Sequence, residues 1–235
     1  MQVWNGEENL TQFLVREIGS SIVEGKYPPG TTLPTEAELS AAYEASRSVT
    51  REALKMLAAK GLVKSWPRRG TVVQAESNWN LLDNQVLDWM LGRKFAPALL
   101  VDFMNMRLAI EPIASMMAAA NKDKIDPIGE AVENLKLARD GNGDALRADK
   151  EFHKSILRAS GNRFFEQMVP LVDTALQLSI KLTNRMKGVQ LASVEDHEKI
   201  YQAIKSGNGK KARKLSETMI LEALELIKIG VSENN

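Results

Sequence analysis

Apolar positions follow helical spacing over most of the chain and give way to short alternating runs in one place. From Leu10 to Glu24, Leu10, Phe13, Leu14, Ile18, Ile22 and Val23 fall on or near one face, which predicts a helix. Gly25 ends it, and Tyr27-Pro28-Pro29-Gly30 reads as a turn. Thr35 followed by Glu38 has the spacing of a capping box for a short helix that turns Leu39, Ala42 and Tyr43 inward. Ser46 can cap a second helix, Arg47 to Lys60, and Gly61 suits the position just past its end. Leu62 to Trp66 and Thr71 to Gln74 are β-like runs joined by Pro67-Arg68-Arg69-Gly70, which predicts a hairpin.

Ala75 to Asn78 is polar and sets the predicted domain boundary, with one domain over residues 1–75 and another over 76–235. Beyond it the pattern is helical to the end. Leu82, Val86, Trp89 and Met90 mark one helix, and Leu99 to Ala120 marks a long apolar one that Pro112 is expected to bend. Ile128 to Arg139, Gly143 to Ser160, Asn162 to Lys187, Val194 to Ser206 and Lys210 to Gly230 follow, and Ser232 to Asn235 reads as a frayed tail. The fold class expected is mainly α: a helix–turn–helix with a hairpin wing, then an all-α bundle.

Composition narrows the function classes. Hydrophobic residues make up 44% and charged residues 26%, ordinary for a globular protein. No apolar run approaches the roughly 20 residues of a membrane helix, and the N-terminus has no basic start or apolar stretch, which predicts no secretory signal and a cytoplasmic protein. The absence of cysteine excludes disulfides, thiolate metal sites and Cys nucleophiles. A net charge of +1 hides a local cluster: seven basic residues and one acid, Glu52, between Arg47 and Arg69. Nucleic-acid binding needs such a patch, not a basic protein.

On the helix from Arg47 to Lys60, Arg47, Arg51 and Lys55 form one stripe, with Val49, Ala53, Met56 and Leu57 on the other side. Ser48 and Thr50 add small polar groups at its N-terminal end, where a recognition helix meets the major groove. A basic stripe alone is usually a solvated face, so the motif order around it matters. P-G-x-x-L-P-[ST]-E-x-x-L, then S-R-x-x-x-R-x-A-L, G-L-[IV] and R-G-T run through residues 25–73. This pattern resembles the winged helix–turn–helix of GntR-type bacterial transcription regulators. The resemblance implies DNA contacts at Ser46, Arg47, Ser48, Arg51, Arg69 and Gly70. Some relatives carry a basic residue between the two glutamates of the first helix, where this chain has Ala37.

Only two histidines occur in the chain. His153 follows Asp149 by four and shares its helix face, and His197 lies on a later helix. Asp, His and His from two helices of a bundle can hold a divalent metal, although an Asp-x-x-x-His pair alone is more often a polar pair on a helix surface. The segment from 76 onward resembles the FCD-type ligand-binding domain of the FadR subfamily of GntR regulators. That resemblance implies Asp149, His153 and His197 as ligands of Zn, Ni or Mn, with a fourth family ligand position falling on Met219. It also implies an organic-acid effector beside Arg107 and Asn162. The competing readings are an ordinary i,i+4 pair of Arg107 with Glu111 and a helix N-cap for Asn162. Lys181, Thr183, Asn184 and Arg185 are further polar groups near an expected pocket wall. The run NWNLLDNQVLDWML is similar to the same segment in a sugar-acid regulator of the family, which suggests a sugar acid.

The expected function is a homodimeric regulator, most simply a repressor, that binds double-stranded operator DNA and releases it on binding a small carboxylate; no membrane partner is expected. Two other readings compete. One is a metal-dependent enzyme built on Asp149, His153 and His197 with a DNA-targeting module. The other is an architectural DNA-binding protein with an apolar, filled bundle core.

Overall fold

The computed structural model describes residues 9–92, 97–188 and 193–232. The chain divides into two compact units between residues 95 and 96.

In the first unit, α1 (Leu10–Val23) supplies the floor of the core with Phe13, Leu14, Ile18 and Ile22. The Thr35 capping box forms as read and starts α2 (Glu36–Ala42). Ser46 caps α3 (Arg47–Ala59), whose Ala53, Leu54 and Leu57 pack inward. Strands β1 (Val63–Trp66) and β2 (Gly70–Val73) pair antiparallel, with Val63 opposite Val73 and Trp66 opposite Gly70. The stretch before α2 adds a short third edge, since Leu33 donates to Thr71 and Val73 to Thr31.

Helix α4 (Asn84–Gly92) packs against α1 in this unit. A Cβ on Gly19 of α1 would stand 2.4 Å from the Trp89 ring of α4, so this contact requires a glycine. The division at 95 therefore lies beyond the boundary read at 75, because Val86 of α4 joins the core of this unit and Trp89 and Met90 pack against it. Two ties fix the entry to α4. The buried Lys60 ammonium at the end of α3 pairs with Asp83 at 2.7 Å. Asp83 also accepts from the backbone N–H groups of Gln85 and Val86, capping α4.

The second unit is helical throughout its described residues. It comprises α5 (Pro97–Ala118), α6 (Asp126–Arg139), α7 (Ala145–Ala159), α8 (Arg163–Gln167), α9 (Val169–Lys187), α10 (Val194–Lys205) and α11 (Gly209–Ser232). Helix α11 lies along α5, α6 packs on α7, and α7 also meets α5 and α9. Pro112 sits inside α5, which continues on both sides of it. The single helix expected from Asn162 to Lys187 is broken at Met168. Pro170 lacks an N–H and fits only the first turn of a helix, so a new helix begins there.

Candidate functional site

Helix α3 separates its two faces cleanly. Arg47, Ser48, Arg51 and Lys55 are exposed, while Ala53 and Leu57 have no accessible surface. Ser46 is also exposed; its hydroxyl accepts from the Val49 N–H at 3.3 Å and lies 2.8 Å from the Ser48 hydroxyl. Thr50 departs from the sequence reading. It is fully buried and its hydroxyl meets Ser40 of α2 at 2.9 Å, so it joins the two helices instead of facing outward.

The β1–β2 turn places Arg68 and Arg69 at the hairpin tip, both exposed. Arg68 and Gly70 take positive φ of 64° and 81°. A Cβ on Gly70 would lie 3.1 Å from the Thr32 methyl, so glycine serves both the turn and the close packing. Glu36, Arg51, Lys55, Lys64 and Ser65 line one open groove, bringing α2, α3 and β1 into a single surface. Arg51 is not a lone cation: its Nη2 donates to the Glu36 carboxylate at 2.9 Å. That hydrogen bond is the main reason the Glu36 pKa lies below its ordinary value.

The second site is a cluster of buried polar groups in the helical unit. Asp149, His153 and His197 are each 5% exposed or less, and one ligand atom from each lies within 4.8 Å of the others. Helix α7 supplies the first two by i,i+4 spacing, and α10 supplies the third. Outer partners orient both imidazoles. His197 Nδ1 lies 2.6 Å from the Ser193 carbonyl, which can only accept, so Nδ1 carries the proton. His153 Nδ1 lies 2.7 Å from a Glu111 carboxylate oxygen and donates to it in the same way. Both Nε2 atoms then face the same Asp149 oxygen, at 3.3 and 3.4 Å. In neutral rings those atoms are lone pairs facing a carboxylate, an arrangement that calls for a cation or a proton between them.

Arg107 and Glu111 complete the cluster. Both are buried, so their pair is not the weak surface contact that i,i+4 spacing alone would suggest. Arg107 Nε donates to Glu111 at 2.6 Å and Nη2 at 3.3 Å, and Nη2 also sits 3.2 Å from His153 Nε2. Burial pushes the Glu111 carboxyl up, but Arg107 and His153 outweigh it and bring it down to about 2. Burial likewise raises Asp149, yet His153 and His197, which donate from Nε2 once their rings are protonated there, hold it well below the usual carboxylate range. For His153, burial lowers the pKa and the charge of Glu111 raises it, leaving it above the ordinary imidazole value.

A cavity of about 70 Å³ opens beside these groups. Arg107, Asp149, His153 and His197 line it, with Thr183 and Asn184 of α9 on its wall. Met219 of α11, the residue at the fourth family ligand position, lines it too. Asn162 is not among the lining residues; its Oδ1 caps α8, accepting from Phe164 at 2.9 Å and Phe165 at 3.4 Å. Lys181 is exposed and does not line the cavity, and the Arg185 side chain lies outside the described residues. The sequence reading marks Glu111 together with Arg107 in the RLAIEP segment, but not as a partner of His153. The i,i+4 spacing from Arg107 was visible, but its hold on His153, 42 positions away, was not.

The family model described as "Bacterial regulatory proteins, gntR family" matches residues 10–73, and the FCD domain model matches residues 102–222. The chain belongs to the GntR regulators that carry an FCD domain. The FCD segment spans Arg107, Glu111, Asp149, His153, His197 and Met219, so the whole buried cluster lies within it. Among curated relatives, the galactonate operon transcriptional repressor of Escherichia coli K12 is 29% identical over 94% of this chain and 97% of its own length. The transcriptional repressor NanR of Klebsiella aerogenes is 26% identical over 90% and 82%, respectively. Among solved structures, a GntR protein of Streptococcus agalactiae aligns with a TM-score of 0.50 at 23% identity, covering 92% of this chain and 99% of its own. The Listeria monocytogenes regulator Lar aligns with a TM-score of 0.57 at 15% identity, covering 95% and 99%. At such identities these two likenesses bear on the fold alone.

This GntR-family chain is therefore a DNA-binding transcription regulator, and the segment that matches the gntR model contains α1, α2, α3 and the β1–β2 hairpin. The matches are to regulators, which leaves the enzyme reading without support. The architectural reading required a filled apolar core; the buried charges around one cavity argue against it. Among the described residues, no helix is long and apolar enough to cross a membrane.

Proposed function

We propose that this regulator is a homodimeric repressor of a carboxylate catabolic operon, of the sugar-acid kind, released from its operator when the metabolite enters the FCD cavity. The domains would divide the work, with the DNA read by Ser46, Arg47, Ser48, Arg51 and the wing residues Arg69 and Gly70. The observation that carries the ligand half is the buried set of Arg107, Asp149, His153 and His197 around one cavity. Nothing in DNA binding requires such a set, and burying it is costly unless it holds something. The relative named as the galactonate operon transcriptional repressor supports a sugar acid as the metabolite.

The donor set fits a divalent cation of the Zn, Ni or Mn type. Two imidazoles with their Nδ1 protons tied outward and one ionised carboxylate present three ligands toward one point. Asp149, His153 and His197 would hold the ion, and the Met219 thioether beside them is a poor fourth ligand for such a cation. A bound ion supplies fixed positive charge that attracts a carboxylate. Arg107 adds a second cation; its Nε–Nη2 edge is committed to Glu111, and its Nη1 donates to the Met104 sulfur at 3.5 Å, a weak acceptor that an effector carboxylate would displace.

The cavity size bears on the mechanism. At about 70 Å³ it is well below the roughly 150 Å³ that takes a benzene, so a sugar acid fits only when the walls part. A ligand that binds the opened form draws the population toward it, which is what release from an operator requires. A thermal-shift screen of sugar acids and other carboxylates, with and without Zn²⁺, Ni²⁺ or Mn²⁺, tests the reading. A rise in midpoint for one acid, together with dissociation of operator DNA at matching concentrations, is the expected result. Stabilisation by no acid under any metal condition would overturn it.

A further inference from the structure

An acidic side chain on a DNA-reading surface needs an explanation, because it repels phosphates. Glu36 is such a residue. It begins α2, lines the same groove as Arg51 and Lys55, and lies 15 positions before Arg51 in the chain. Its carboxylate takes the side edge of the Arg51 guanidinium: Nε donates at 3.2 and 3.3 Å and Nη2 at 2.9 Å. Arg51 Nη1 donates to no acceptor among the described residues. The outward end of the fork, Nη1 with the second hydrogen of Nη2, is thus left open and held in one orientation. That end presents two parallel N–H groups at the spacing of guanine O6 and N7.

We infer that Glu36 is a positioning residue that fixes Arg51 as a reader of one guanine, not as a phosphate contact. This role for Glu36 rests on the family reading of Arg51 as a DNA contact and deepens it. Two features favour a base over a phosphate. The Arg51–Glu36 pair is close to neutral, so it gains little from the phosphate field, yet it keeps its directional donors. Holding the guanidinium in place also removes rotamer freedom that a solvated arginine would lose on binding. Arg47 differs: it is exposed and donates to no acceptor among the described residues, which suits a phosphate contact.

The test uses the full chain. A palindrome is first selected by the wild-type protein from a randomised duplex pool. Each G·C pair of its half-site is then replaced symmetrically by A·T, and affinities are measured by anisotropy for wild type, Glu36→Gln and Arg51→Ala, with a scrambled duplex as reference. Glu36 is partly exposed, so Glu36→Gln is expected to leave the melting midpoint of the protein unchanged. The wild type should discriminate strongly at one G·C pair. Arg51→Ala should lose that discrimination, and Glu36→Gln should reduce it roughly five- to tenfold at the same pair while scrambled duplex binds as well or better. A Glu36→Gln protein that binds every duplex more tightly with its base profile intact overturns the inference, because Glu36 would then be only a repelling charge. An Arg51→Ala protein with an intact profile overturns the reading of Arg51 itself.

Discussion

Truncating Arg107 should damage the fold before it reports on the effector. The Arg107 and Glu111 side chains are 4% and 1% exposed and meet at 2.6 Å. Arg107→Ala leaves the Glu111 carboxylate buried with His153 as its remaining charged partner. Removing one member of a buried ion pair costs about 3–5 kcal/mol. Arg107 and His153 together hold the Glu111 carboxyl at about 2 instead of 4.5, which corresponds to about 3 kcal/mol at neutral pH shared between the two partners. Because the folded-state pKa is lowered, this stability is present above about 4.5 and is lost as pH falls toward about 2. Whole domains have about 5–15 kcal/mol, so the helical unit becomes marginal and its melting midpoint drops by roughly 10 °C. Urea and thermal unfolding at pH 7, with chelator present to exclude metal rescue, measure the loss. The double variant Arg107→Met with Glu111→Leu should recover part of it, since the unpaired carboxylate is gone while the buried His153 Nδ1–H loses its acceptor. It is therefore the better background for asking whether the effector needs Arg107. A single Arg107→Ala variant within about 1 kcal/mol of wild type would refute the reasoning, since that is the scale of an exposed pair.

Met219→His should place a third imidazole beside the cluster and raise affinity for added Zn²⁺ or Ni²⁺ by roughly tenfold or more, read by calorimetric titration. Asp83→Ala removes both the partner of the buried Lys60 and the cap of α4 and should cost about 2–4 kcal/mol in urea unfolding; Asp83→Asn keeps a capping oxygen and should cost less. Gly61→Ala should destabilise by more than about 2 kcal/mol, because φ is 77° there and the new Cβ would lie 2.1 Å from the Asn78 carbonyl oxygen.

Much of the first unit was legible in the chain because its signals are local. The Thr35–Glu38 box, the Ser46 cap, Gly61 and the Arg68-Arg69-Gly70 turn each act within a few residues, and each formed where the pattern put it. The i,i+4 spacing of Asp149 and His153 was legible for the same reason. What tertiary structure decided is separated in sequence. Thr50 left the exposed face of α3 because Ser40 of a neighbouring helix offered it a buried partner. Helix α4 joined the first unit because the Trp89 ring needs the bare backbone of Gly19. Glu111 entered the metal-type cluster only when α5 packed on α7 and brought it to His153. Glu36 met Arg51 only when α2 crossed α3. A sequence pattern records which faces are apolar and where helices start and stop. Which buried charge meets which depends on packing across many residues, and no local preference encodes it.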